Sequence, residues 1–157
     1  MEIKVRVSND EQLVQLRMLF FGVFSEKYPL AHPVSSFFSS LSISQYSNFF
    51  EDCLKSGKSF TYSYYTGFIR GPYPGDDDLS SLNDEEVNLA GDPDRDATIS
   101  LYDFLDISLS LSRKVIEATE HRLLLERGIV DEFWIKNILS SIPKIEAQLS
   151  ALNKNSH

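Results

Sequence analysis

Ile3, Val5 and Val7 alternate with Lys4 and Arg6, the period of two that marks a strand with one buried face. Ser8 and Glu11 then match a capping box, in which hydroxyl and carboxylate each satisfy a free backbone N–H at a helix start. Leu13, Leu16, Phe20 and Phe24 recur at helical spacing, thickened by Val14, Met18, Leu19, Phe21 and Val23, so the pattern predicts a central, largely buried helix. Pro29 ends it near Tyr28. The Pro- and Ser-rich run 29–42 reads as a packed loop with room for one helical turn, anchored by Phe37, Phe38 and Leu41, with His32 as a packed or surface histidine.

Ser42 with Gln45 repeats the capping-box spacing, and Tyr46, Phe49, Phe50, Cys53 and Leu54 follow on one helical face that Gly57 closes. Residues 59–70 are β-branched and aromatic and predict a second, longer or bent strand, with Phe60, Tyr62 and Tyr64 on one face and Gly67 at a bulge or close approach. A run from about Leu101 to Arg127 predicts one long helix stopped by Gly128, although Ile107, Leu109 and Leu111 alternating with serines also suit a strand. Ile135, Ile138, Ile142, Ile145, Leu149 and Leu152 form a seam that stays in phase across Pro143, as in a kinked helix or two abutting ones. These elements predict a single helix-rich α+β domain over 1–157, with few strands packed against about four helices.

Charge changes this picture at one place. Residues 73–106 carry eleven acids, Asp76, Asp77, Asp78, Asp84, Glu85, Glu86, Asp92, Asp94, Asp96, Asp103 and Asp106, against the single base Arg95. The chain as a whole has net charge −8, and the residues on either side of this segment are each close to balance. The segment reads as an acidic loop, introduced by the Gly- and Pro-rich run 71–75. Such a balance argues against direct phosphate-backbone binding, which draws its affinity from Lys and Arg, and favours a basic protein partner. Asp76, Asp77, Asp78, Asp84, Glu85 and Glu86 are the candidate steering charges, and Tyr73 and Tyr102 the candidate aromatic anchors.

The remaining chemistry is sparse. A lone cysteine, Cys53, excludes an internal disulfide, and with no exported leader or membrane-length apolar run the expected setting is the cytoplasm. Phosphate-binding glycine loops, zinc-spaced Cys and His, and a nucleophile elbow are all missing from the sequence, so an uncharacterised small enzyme is the weaker reading. Glu117, Glu120 and His121 share a helical neighbourhood but have no matching half-site in sequence and read as a solvated face.

Asp92, Asp94, Asp96, Thr98 and Asp103 stand at positions 1, 3, 5, 7 and 12 of a segment that resembles the calcium loop of EF-hands and, with aspartate at its last position, that of dockerins. Ala97 occupies the position where those loops carry glycine. The resemblance implies calcium as the only cofactor to consider and a calcium-binding interaction module as an alternative function; without calcium, Ser100 and Asp103 cap the following helix. Size, acidity and the charge of 75–106 together make the chain similar in class to bacterial immunity proteins of the contact-dependent inhibition type. That resemblance implies a non-catalytic protein that blocks a cognate toxin domain, such as a basic nuclease, as a monomer or a dimer.

Overall fold

A computed structural model describes residues 9–73, 82–119 and 123–155. Within them the chain forms a helix-rich α+β fold. Helices α1 (Asn9–Ser25), α2 (Pro33–Ser40) and α3 (Tyr46–Asp52) come first, and a 3₁₀ turn, Ile43–Gln45, leads into α3. Four strands follow, β1 (Ser59–Thr61), β2 (Gly67–Arg70), β3 (Glu86–Asp92) and β4 (Arg95–Ser100), and then α4 (Leu101–Ala118), α5 (Leu123–Glu126) and α6 (Glu132–Asn155). The strands make one antiparallel sheet in the order β1-β2-β3-β4. The expected strand at 3–7 and the capping serine at position 8 lie outside the described residues.

Helix α1 buries Leu16, Phe20 and Phe24 completely but leaves Val14 and Met18 61% exposed. It is therefore a one-sided helix and not the buried central one its apolar density predicts. Helix α2, of eight residues, takes more of the expected loop than the single helical turn anticipated there. Pro33 sits in its first turn, where a missing N–H leaves no bond unmade, and His32 Nδ1 accepts the Val34 N–H at 3.1 Å as the N-cap. Gln45 Oε1 accepts the Ser42 N–H at 2.9 Å, so the predicted box does start the next element, although Gly57 (φ +70°) closes a turn beyond α3 and not the helix itself.

The expected long strand at 59–70 is a hairpin. Tyr62 donates its N–H to the Thr66 carbonyl at 2.8 Å, and Phe60 pairs with Phe68 across the turn. Gly67 is a close approach, as expected, since a Cβ there would stand 2.6 Å from the Phe60 carbonyl oxygen. The larger correction concerns 73–106, where β3 and β4 stand in place of the second half of the acidic loop. Val87, Leu89 and Ile99 point into the core, while Asn88, Asp96 and Thr98 point out, a clean period of two that the density of acids obscures.

The core centres on Phe49, whose ring lies 5.5–5.9 Å from those of Phe37, Phe38, Phe50, Tyr62, Phe68 and Phe104. Helix α4 resolves the strand-or-helix ambiguity at 107–112 by burying Ser108 and Ser112 with their hydroxyls satisfied, while Ser110 stays exposed. Ser108 donates to the Phe104 carbonyl and Ser112 to that of Leu109, each at 2.7 Å. The predicted run to Arg127 is divided, since α4 ends at Ala118, where Thr119 Oγ1 donates to the Ile116 carbonyl at 2.6 Å. The final seam is one helix, α6, with Pro143 inside it. Asp131 caps its start, and Trp134 donates its indole N–H to the Ile43 carbonyl at 3.2 Å, tying α6 to the turn before α3.

Candidate partner surface

Folding the acidic segment into a hairpin and a helix start separates its charges into two groups. Strand β3 runs from Glu86 to Asp92, and at about 3.4 Å per residue its two ends lie roughly 20 Å apart. At the first end, Leu101 donates its N–H to the Glu85 carbonyl at 2.6 Å, and Glu86 pairs with Ser100. The turn holding Asp84 and Glu85 is thereby fixed beside the first turn of α4. Asn83 organises it, with Oδ1 accepting the Glu85 N–H at 2.8 Å and its own N–H donating to Glu86 Oε1 at 3.0 Å. Tyr73 comes two residues after Gly71, whose N–H donates to the Glu86 carbonyl, so it approaches the same end and is half-buried.

The start of α4 behaves as the sequence predicts for a capped helix, with Ser100 Oγ accepting the Asp103 N–H at 3.1 Å. Asp103 is engaged further, by Lys27 Nζ at 2.7 Å and by the Tyr28 hydroxyl at 3.2 Å, and Lys27 also reaches Asp106 at 3.6 Å. The hydrogen bond to Asp103 raises the Lys27 pKa above the usual lysine value, and partial burial raises that of Tyr28. Tyr102 lies under the Lys27 ammonium, 5.9 Å from ring centroid to nitrogen, and is 38% exposed. This predicted anchor is thus already occupied by an internal cation.

At the far end, Asp92 closes the β3–β4 turn. Its Oδ1 accepts the Asp94 N–H at 2.9 Å and its Oδ2 pairs with Arg95 at 3.0 Å, which together hold the carboxyl below the usual carboxylate range. Asp96 and Thr98 lie on the outward face, both bonded by Asn88 Nδ2, at 3.1 and 3.3 Å. Asp92, Asp94, Asp96, Thr98 and Asp103 therefore do not converge. Five residue steps of β4, about 17 Å, separate the turn from Ser100, whereas calcium ligands gather about 2.3–2.6 Å from one ion. Among the described residues no group of three or more His, Cys, Asp or Glu is placed to hold a metal ion. Millimolar calcium is expected to leave the melting temperature unchanged. A rise that Asp92→Asn with Asp96→Asn abolishes would show that the hairpin opens into a calcium loop.

Asp76, Asp77 and Asp78 lie outside the described residues, as do Glu120 and His121. Outside the predicted anchors the exposed aromatic residues among those described are Phe133, Tyr64 and Tyr65, the last two of a type that suits cores and interfaces alike. Both sit in the β1–β2 turn, 90% and 51% exposed, with their rings edge to face at 4.6 Å. The signal for them is the adjacent Tyr-Tyr pair between Ser63 and Thr66, which breaks the alternation of a continuous strand. Comparison with family models, with curated proteins and with solved structures finds no match. No described helix is long and apolar enough to cross a membrane.

Proposed function

We propose that this protein is a non-catalytic binding protein that neutralises a basic protein partner, in the manner of an immunity protein blocking a cognate bacterial toxin domain. One observation carries the reading. Asp84, Glu85, Asp94 and Asp96 stand exposed on ordered backbone, and none forms an ion pair among the described residues, although Asp92, Asp103 and Asp106 do. Carboxylates left unneutralised on a fixed frame cost little in folding and supply a field that attracts a basic surface. Opposite a nucleic-acid-binding cleft they would take the place of phosphates and occlude the substrate.

The test is a double reversal, Asp84→Lys with Glu85→Lys, assayed against a candidate basic toxin domain, sought first among the genes beside the one that encodes this chain. Association is expected to slow about tenfold at low salt and to lose most of its salt dependence, with melting almost unchanged. Glu86 is left intact because its carboxylate holds the turn. Unchanged association kinetics and full protection from the toxin would show that the acidic surface is not the interface.

A further inference from the structure

We infer that the outward face of the sheet beside the β1–β2 turn is a trough that receives an arginine side chain of the basic partner, an inference that rests on the reading of the chain as a neutraliser of such a partner. Thr61, Gly67, Ala90 and Asp96 form one row across the four strands. The middle of that row has no side chain at Gly67 and only a methyl group at Ala90, so its floor is low. Tyr64 and Tyr65 rise at one end, and a shallow cavity of about 270 Å³ opens between them and Ile69, Asn88 and Ala90. Asp96 stands at the other end, two strand spacings from β2, about 10 Å.

The occupant follows from charge and ring geometry. The outward positions of β1 to β4 include the carboxylates of Glu86 and Asp96 and no cationic residue. Asn88 fixes the Asp96 carboxylate through Oδ2, and Oδ1 accepts nothing else among the described residues. Other aromatic faces are already covered by internal cations: Arg17 lies over Phe21, Lys27 over Tyr102 and, at the edge of the same cavity, Lys55 over Phe60, at 5.6–5.9 Å. Among the described residues Tyr64 and Tyr65 carry no such cation, and unlike the exposed ring of Phe133 they border this cavity. Arginine fits better than lysine, because a planar guanidinium stacks on a ring while its N–H groups bond a carboxylate, and it is more weakly hydrated than an ammonium.

Octa-arginine and octa-lysine peptides, titrated into the isotopically labelled protein and followed by backbone amide NMR shifts, test this. Octa-arginine is expected to shift the amides of residues 64–67, 88–90 and 96, and to bind at least about fivefold more tightly than octa-lysine. Tyr64→Ala with Tyr65→Ala is expected to erase that preference, and Tyr64→Phe with Tyr65→Phe to keep it, while both variants melt like the parent. Shifts confined to 83–86 and 101–106, or equal affinity for the two peptides, would overturn the trough and leave the basic-partner reading standing. Absence of any shift with either peptide would overturn both.

Discussion

Gly91→Ala is expected to destabilise the fold by about 3 kcal/mol or more, enough to lower the melting temperature by roughly 10 °C in a chain of this size. Gly91 lies at the register shift between Ala90 and Asp92, where β3 presses directly on α2. A Cβ built there would overlap the backbone nitrogen and Cα of Phe37 and the carbonyl carbon of Ser36. Backbone cannot rotate aside as a flexible side chain can, so α2 and the sheet must separate, and Phe37 and Phe38 move with α2. The control is Gly22→Ala, the same chemical change inside α1, where a Cβ meets nothing within 4 Å. It is expected to be stabilising, by up to about 1 kcal/mol, because alanine is the better helix former. Thermal unfolding of the pair decides the matter; equal melting temperatures would show that α2 does not pack on β3 this closely.

Phe49→Ala should cost about 3–5 kcal/mol, the usual range for removing a fully buried phenyl ring. Phe49 is in contact with aromatic partners from α2, α3, the β1–β2 hairpin and α4 at once. Its loss leaves a void bordered by rings from all four of these elements, which no single neighbour can fill by rotating. Denaturant unfolding with near-ultraviolet circular dichroism reads both the loss of stability and the loss of fixed aromatic packing. A cost below about 1.5 kcal/mol would place the centre of the core elsewhere.

What the sequence revealed followed from how local each signal was. The start of α4 was legible because Ser100 and Asp103 carry their own hydrogen bond, and the α6 seam because six apolar residues keep one phase through Pro143. Helix α2 was not, since Pro33 as a breaker and Pro33 as a first helical residue look identical until His32 is seen to cap the turn. The β3–β4 hairpin was hidden in another way. Val87, Leu89 and Ile99 alternate as strand residues should, but acids interleaved with them gave the segment the composition of a loop. The candidate site followed the same division. The acids themselves were evident, while their separation to two ends of a sheet depends on pairing that composition does not encode, and the exposure of Tyr64 and Tyr65 follows only once the single strand becomes a hairpin.

Cys53, the chain's one cysteine, gives this fold an internal clock. Its side chain is wholly buried, its thiol donates to the Phe50 carbonyl at 3.2 Å, and burial pushes its pKa up to about 12. Its own carbonyl accepts from Arg70, which in turn bonds Gln148 of α6 at 2.7 Å. A thiol-specific reagent needs both access and thiolate, and the closed molecule offers neither. Each labelling event therefore counts an excursion that exposes Cys53, and the labelling rate under native conditions reports the free energy of that opening without denaturant.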